Sequence, residues 1–248
     1  GYYVANGGKT DYNIGSRDDK ECWADSRNPH RDPQWSDRPF FSIVNIGDSH
    51  ESNAFPKKGT PGDIDPASLT LFPYHPDLPE MRETYARYAD GIQRMDAKVG
   101  EALDRLEENG QAEDTIVVYC SDHGGGLPRA KRFLYSSGTH CPLIVRIPEK
   151  WRHWWPAEAP GSTVDRIVAF VDMPKTWLSL AGAEIPETYQ GTVFLGDGIE
   201  PAPAYNLSFR ERADECADCV RSMRDGRYLY IRNYMPWFPN GQHLKYMW

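Results

Sequence analysis

The sequence lacks several features that would place it in other classes of protein. It contains no run of about 18 apolar residues, so we expect no membrane-spanning helix. Its 28 Lys and Arg are outnumbered by 36 Asp and Glu, which gives a net charge of -8. That balance argues against a nucleic-acid-binding surface but still permits a local basic pocket for a small anion.

Cysteine is also scarce. The five cysteines are odd in number and irregularly spaced, so they do not form a disulfide framework. Cys216 and Cys219 form a CxxC motif, but no second pair follows at zinc spacing, which favours a structural or incidental role. The chain shows neither an initiator Met nor a signal peptide and opens as if in the middle of a longer protein. Oligomeric state cannot be read from it.

Runs of β-forming residues alternate with helical patterns along most of the chain. Residues 40–46, 115–120 and 143–147 predict buried strands. Apolar residues recur every three or four positions through residues 81–106, and a second helical pattern lies within residues 165–182. This alternation predicts an α/β fold with a mainly parallel sheet sandwiched by helices.

The boundaries of the long helix carry their own signals. Asp77 with Glu80 predicts a start of the capping-box type, and Asn109 with Gly110 predicts the end. Outside the regular elements, the polar residues 16–38 predict an irregular surface loop.

The last fifth of the chain has a different texture. Short strand-like runs occupy residues 205–210, 219–224 and 228–233, and Asp225-Gly226 between the last two is a strong hairpin signal. We therefore predict an α/β core over residues 1–200 and the start of a small antiparallel subdomain over residues 201–248.

Asp122 and His123 lie where the predicted strand 115–120 gives way to three glycines. In open α/β sheets, ligands bind at the carboxyl ends of the strands. The basic residues Arg129, Lys131 and Arg132 follow on the same loop. A carboxylate and an imidazole beside this basic cluster indicate a metal ion and an anion bound together.

Two further residues follow predicted strand ends. Lys9 is either an exposed loop lysine or an anion contact. His50 follows the strand at residues 40–46 and is either a turn residue bonded to the backbone or a general acid.

The order and spacing of six blocks, which together span nearly the whole chain, resemble the sulfatases of the alkaline-phosphatase superfamily. The bacterial polysaccharide-type members and the sulfamidase-like branch are the most similar. The blocks are GYYVANGGKTDYN, PFFSIVNIGDSHES, YARYADGIQRMDAKVGEALDRLEENG, DTIVVYCSDHGGGLPRAKRFLYSSGTHCPLIVRIPEKW, VAFVDMPKTWLSLAG and MRDGRYLYIRNYMPW.

The resemblance implies roles for individual residues. Asp122 and His123 fall on two metal ligands, the second of which is Asn in many members. Lys131 falls on a lysine that contacts the sulfate, and Lys9 on one that touches both the nucleophile and the sulfate. His50 falls on the histidine that protonates the leaving oxygen. Cationic groups of this kind stabilise the negative charge that develops as the S–O bond breaks.

Three residues are candidate substrate contacts. His140 stands where many members have Arg. Arg210 and Arg212 either reach the substrate or belong to a surface cluster of ion pairs. The implied cation is Ca²⁺, or Mn²⁺ or Zn²⁺ if the substrate is a phosphoester, since imidazole suits those metals.

The chain also departs from the family. Asp11 stands where members often have His, and no segment fits the formylglycine motif C/S-x-P/A-x-R, because Arg27 lies one place late relative to Cys22. The family's early Asp pair is absent as well. We interpret the chain as a fragment that lacks the formylglycine segment and is inactive on its own.

The sequence therefore predicts a sulfuric ester hydrolase acting on sulfated carbohydrate, in full-length form. The alternatives are a phosphodiesterase or phosphonate monoester hydrolase of the same superfamily, and a non-catalytic protein that binds sulfated glycan. The resemblance implies a periplasmic or extracellular location. The residues do not identify the sugar or distinguish O-sulfate from N-sulfate.

Overall fold

The computed structural model describes residues 1–9, 22–24, 38–55, 62–213 and 216–239. Asp11, Arg27 and most of the loop predicted for residues 16–38 lie outside the described residues. The chain forms two compact units, Gly1–Thr115 and Ile116–Trp248.

The first unit is built on a parallel pair of strands. Strand β1 (Tyr3–Gly7) pairs with β2 (Phe40–Val44), so that Gly7 lies opposite Val44. Tyr3 and Ala5 are buried, and the second strand confirms the one predicted at residues 40–46. Because the strands are parallel, their carboxyl ends lie at one edge, and the loops that carry Lys9 and His50 both leave from it.

Helix α1 (Pro79–Glu108) follows in the same unit and confirms the predicted long helix. It ends as expected: the Asn109 N–H donates to the Arg105 carbonyl at 3.1 Å, and Gly110 adopts a φ of 68°. One apolar position near its end, Leu106, packs against the buried residues of β1.

The start of α1 differs from the capping box predicted for Asp77 and Glu80. The N-cap position is Leu78, which makes no side-chain cap bond. Asp77 instead accepts two hydrogen bonds from Arg82, at 2.5 Å from Nε and 2.8 Å from Nη2. A guanidinium offers a carboxylate two parallel donors, which a single backbone N–H cannot match.

The second unit begins with an antiparallel pair of strands. Strand β3 (Val117–Cys120) and strand β4 (Leu143–Arg146) confirm the two predicted strands, and the single helical turn α2 (Ser136–Thr139) lies between them in sequence. Helix α3 (Asp172–Leu180) is shorter than the pattern at residues 165–182 predicted. The reason is the buried Asp172 carboxylate, which accepts the N–H of Ala169 at 2.7 Å and fixes a turn there.

Three antiparallel strands complete this unit: β5 (Asn206–Ala213), β6 (Cys216–Arg224) and β7 (Leu229–Asn233). The turn between the last two contains Asp225 and Gly226, as the hairpin signal predicted. One face of the sheet is buried at Val220 and Ser222. The other exposes apolar side chains, at 66% for Leu207, 71% for Phe209, 43% for Met223 and 64% for Tyr230.

The architecture is therefore mixed α/β, as predicted. The single, mainly parallel sheet stays a prediction, because the described strands form one parallel pair, one antiparallel pair and one three-stranded antiparallel sheet. The boundary near residue 200 also stays a prediction. Among the described residues, no helix is both long and apolar enough to cross a bilayer.

Candidate active site

Asp122 and His123 lie just after the end of β3, separated from it by Ser121. The His123 Nδ1 lies 2.7 Å from the Gly124 carbonyl oxygen. Since a carbonyl only accepts, Nδ1 must carry the ring proton, and Nε2 of the neutral ring keeps its lone pair. That Nε2 lies 3.5 Å from the Asp122 Oδ2, and the Asp122 side chain is 72% exposed. In the neutral ring the Nε2 lone pair faces the Asp122 carboxylate, and in the charged ring the same contact is an ion pair.

This arrangement fits a pair of cation ligands. Two ligand atoms of one divalent cation lie about 3–4 Å apart, and the observed separation is 3.5 Å. The bond from His123 Nδ1 to a carbonyl is the usual way in which a metal-binding imidazole is oriented. Among the described residues, no set of three or more His, Cys, Asp or Glu side chains suited to a metal occurs, so a cation held by this pair would need further ligands.

Two thiols lie in the electrostatic reach of this carboxylate. Partial burial raises the pKa of Cys120 and of Cys141, and the negative charge of Asp122 raises both further. Both thiols therefore stay protonated at neutral pH, and the local environment does not favour a thiolate ligand.

Lys131 lies in the same folded loop as Asp122 and His123. Its backbone N–H donates to the Gly125 carbonyl at 3.1 Å, and the Gly124 N–H donates to the Gly138 carbonyl at 2.9 Å. These two bonds fold residues 121–139 back on themselves. The ammonium-bearing residue is thereby fixed beside the glycines that follow the candidate metal ligands.

The glycines of this loop allow a very close approach of backbone to backbone. A Cβ on Gly124 would lie 1.7 Å from the Ser137 carbonyl oxygen, and one on Gly138 would lie 2.2 Å from the Phe133 carbonyl oxygen. Only a hydrogen fits at either position. The sequence signal was present in the run of three glycines, although it did not say which of them was required.

Lys131 is also enclosed by unusual backbone. Arg129 and Arg132, two and one positions away, adopt φ values of 67° and 77°. Non-glycine residues rarely adopt this left-handed conformation, which costs on the order of 1–3 kcal/mol each and persists only where the surroundings impose it.

In the first unit, Lys9 is placed by two asparagines that sequence reasoning missed. Asn6, only 2% exposed, donates its side-chain amide to the Lys9 carbonyl at 3.1 Å. Asn45 donates to the Asn6 Oδ1 at 2.7 Å and to the Gly7 carbonyl at 3.1 Å. The available signal was a polar residue inside an otherwise apolar strand, since buried amides need partners. Gly8, with a φ of 120°, turns the chain immediately before Lys9.

His50 caps the short 3₁₀ turn Glu51–Asn53. Its Nδ1 accepts the Ser52 N–H at 3.3 Å and lies 2.9 Å from the Ser52 hydroxyl. Because the backbone N–H is a donor, the proton of the neutral ring must lie on Nε2. The turn itself is tied to α1, since Asp48 Oδ2 lies 2.6 Å from the Lys98 ammonium. His50 therefore has the backbone role, and its role as an acid stays a prediction.

The three candidate substrate contacts lie in the second unit and differ in exposure. His140 is exposed and ends the turn α2, and Arg212 is exposed on β5. Arg210 is largely buried, and its guanidinium pairs with Asp218. The structure thus holds Asp122, His123 and Lys131 in one loop of the second unit, and places Lys9 and His50 on loops that leave one sheet edge of the first.

A family model described as Sulfatase matches residues 31–183, which is more than half of the chain. The chain belongs to the sulfatase family. It is 32% identical to an ulvan-active sulfatase of Formosa agariphila, and the match covers 95% of this chain and 44% of that protein. The sulfatase chain spans less than half the length of the relatives it matches.

Two solved structures resemble this sulfatase chain. One is a protein that was solved in complex with that protein's own substrate, D-glucosamine-2-N,6-O-disulfate. It is 26% identical to this chain, with a TM-score of 0.52, and the match covers 62% of this chain and 32% of the other. The second is a phosphonate monoester hydrolase from Silicibacter pomeroyi, with a TM-score of 0.55 and 20% identity, over 82% and 49% of the two chains. The second likeness is evidence of the fold alone.

Proposed function

We propose that the full-length protein hydrolyses sulfate groups on a sulfated carbohydrate. The observation that carries this proposal is the folded loop 121–139, in which a cation-ligand pair and a lysine follow the end of one strand in a chain of the sulfatase family. The similarity to an ulvan-active sulfatase and to a protein solved with a glucosamine disulfate supports a glycan substrate.

Each residue has a distinct task in this proposal. Lys131 and Lys9 bind the sulfate oxygens and stabilise the negative charge that grows during S–O cleavage. His50 delivers a proton to the leaving oxygen of the sugar, which avoids release of an alkoxide. His140 and Arg212 are proposed contacts to the rest of the substrate, whereas the Arg210 guanidinium is bonded to Asp218.

Asp122 and His123 are the residues that would hold a divalent cation, with calcium as the first candidate. When bound, such a cation supplies Lewis acidity at the sulfate end of the substrate. The chain's own contribution is to orient the imidazole, through the contact of His123 Nδ1 with the Gly124 carbonyl. The nucleophile in this proposal is a formylglycine contributed by sequence outside these 248 residues.

The test uses the full-length gene product. It is assayed for sulfate release from ulvan, from sulfated glucosamines and from an aryl sulfate, and in parallel on a phosphodiester and a phosphonate monoester. Turnover of sulfated sugars above the phosphorus substrates supports the proposal. Turnover of the phosphorus compounds alone would overturn it, as would binding of sulfated glycan with no hydrolysis of any substrate.

One observation favours the phosphonate or phosphodiester alternative. The second candidate ligand is an imidazole, which suits Mn²⁺ or Zn²⁺ better than the oxygen-seeking Ca²⁺. Metal analysis of the purified full-length protein separates the two functions when combined with the substrate panel. Bound manganese or zinc together with preferred phosphonate turnover would establish the alternative.

A further inference from the structure

Arg210 connects the antiparallel sheet to the turn that carries Lys131. Its side chain is 12% exposed, and its Nη1 donates to the Arg132 carbonyl at 2.5 Å. The guanidinium also lies over the Phe133 ring, with 5.0 Å between its Cζ and the ring centroid. One side chain from β5 thus contacts the two residues that follow Lys131.

Asp218 on β6 fixes the guanidinium from the other side. Its carboxylate is 2% exposed, and Oδ2 accepts from Arg210 Nη2. The second oxygen accepts the Cys219 N–H at 2.9 Å, so both carboxylate oxygens have partners. A buried ion pair of this kind is costly to break from one side, because the remaining charge is left without compensation.

The Lys131 turn needs such an external support. Arg129 and Arg132 hold left-handed backbone on either side of Lys131, and strained backbone relaxes unless its surroundings over-determine it. Within the loop, the Lys131 N–H bond to Gly125 constrains the N-terminal part of the turn. The Arg132 carbonyl, on the other side, is held by Arg210.

We propose that Arg210 and Asp218 form a positioning pair that holds the Arg132 carbonyl and thereby sets the location of the Lys131 ammonium. The proposal rests on the proposed sulfate-binding role of Lys131. It assigns Arg210 an effect on the substrate through the loop and not through direct contact.

The geometry explains why arginine is required at this position. A planar guanidinium offers five N–H donors in fixed directions and a flat face, so it can donate to a carbonyl and to a carboxylate while stacking on a ring. A lysine keeps a positive charge next to Asp218, but its three N–H donors share one nitrogen on a flexible chain, and it has no flat face to stack on a ring. We therefore expect Arg210→Lys to retain the ion pair with Asp218 and to lose the hydrogen bond to the Arg132 carbonyl and the stacking on the Phe133 ring.

The experiment compares three variants of the full-length protein: Arg210→Lys, Asp218→Asn and the control Glu211→Gln. The control breaks the exposed pair between Glu211 and Arg221, which joins the same two strands. Amide hydrogen exchange is followed at residues 130–133, and kcat and KM are measured on whichever sulfate ester the parent protein turns over. Inhibition by inorganic sulfate provides an independent measure of anion binding.

We expect Arg210→Lys to accelerate exchange at residues 130–133 by roughly tenfold while the rest of β5 and β6 keeps its protection. A displaced lysine should raise KM and the inhibition constant of sulfate, and lower kcat/KM by about 10- to 100-fold. Asp218→Asn should act in the same direction, and Glu211→Gln should stay within about twofold of the parent.

Three results would overturn the proposal. In the first, Arg210→Lys and Asp218→Asn retain parental exchange and kcat/KM. In the second, exchange rises equally across the sheet, so that the pair is only a general structural contact. In the third, neither variant folds, which makes the pair a requirement of the whole unit. If the parent turns over no sulfate, the proposed function fails, but the exchange data still decide whether the pair positions the turn.

Discussion

Asn45 donates its side-chain amide to Asn6 Oδ1 at 2.7 Å and so connects the carboxyl ends of β1 and β2. Asn6 in turn holds the backbone at Lys9, because its own amide donates to the Lys9 carbonyl. The candidate catalytic lysine of the first unit is therefore placed by two uncharged side chains.

Replacing Asn6 with alanine should destabilise the first unit. The change removes the hydrogen bonds that the buried Asn6 side chain makes to the Asn45 amide and to the Lys9 carbonyl, which costs about 1–3 kcal/mol. Urea denaturation followed by fluorescence measures the change in the free energy of unfolding. Asn109→Ala, at the exposed end of α1, is the control and should change it by less than about 0.5 kcal/mol. An equal effect of the two substitutions would contradict the prediction.

A methyl group at Gly124 should disrupt the loop that carries the candidate site. The added Cβ would lie 1.7 Å from the Ser137 carbonyl oxygen, which forces backbone to move and costs about 3 kcal/mol or more. Gly226→Ala in the same unit is the matched control, since nothing lies within 4 Å of the added Cβ. If both substitutions lower the melting temperature equally, the result would contradict the close approach described for Gly124.

Removal of the Lys131 ammonium should affect catalysis more than folding. In the full-length protein, Lys131→Ala is expected to lower kcat/KM on a sulfate ester by about 10²–10³, because one charge-stabilising group is lost. Lys150→Ala, in the 3₁₀ segment Glu149–Trp154, serves as a control for the loss of one positive charge. Melting temperatures of both variants should match the parent. A parental rate for Lys131→Ala would remove this residue from the proposed mechanism.

Loss of either candidate metal ligand should abolish stabilisation by calcium. A cation that binds the folded state raises the melting temperature in proportion to the logarithm of its concentration, and Asp122→Asn or His123→Ala should remove that response in the full-length protein. His123→Asn should restore it, because an amide oxygen is a suitable calcium ligand. The control Asp104→Asn, on α1, should respond like the parent. Calcium responses that survive in His123→Ala would exclude the imidazole as a ligand.

The stability of the second unit should fall in acid partly through Glu200. Hydrogen bonds from the Lys175 ammonium and from the Val193 N–H lower the pKa of this carboxyl below its ordinary value of 4.5. The folded state thus binds the proton less readily than the unfolded state. The contribution is complete above pH 4.5 and is lost as the pH falls through the lower folded pKa.

Melting temperatures of the parent and of Glu200→Gln, measured from about pH 3 to about pH 7, test this effect. These limits span the range in which carboxyl groups titrate. The parent should lose stability more steeply than the variant at acidic pH. The difference should be modest, because the Glu200 side chain is 39% exposed and its ion pair is screened. Parallel curves would show that the pair with Lys175 does not matter for acid sensitivity.

Periodicity predicted the regular elements well because each has a strong local signal. The apolar stripe of α1 extends over most of its 30 residues, and Asp225 with Gly226 marked the β6–β7 turn. The capping box predicted at the start of the helix was wrong, because the Asp77 carboxylate is bonded to the Arg82 guanidinium instead of to a backbone N–H. The pairing of β3 with β4 was also not foreseen, because strand–helix alternation does not encode strand direction.

The candidate site was predictable only in part. The residue types at Asp122, His123 and Lys131 led to the prediction of metal and anion binding, but the supporting contacts depend on residues far away in sequence. Arg210 lies 78 positions from the Arg132 carbonyl that it holds, and nothing local to either residue indicates the contact. Buried polar contacts of this kind become visible only once the chain is folded.

The open face of the C-terminal sheet has a practical consequence. Leu207, Met223 and Tyr230 are cross-strand neighbours in one row, with Phe209 beside them, and all four side chains meet solvent. Apolar patches of this kind promote aggregation in concentrated solution. A sample of these 248 residues alone would therefore form larger species as it is concentrated, and light scattering should accompany every kinetic measurement made on it.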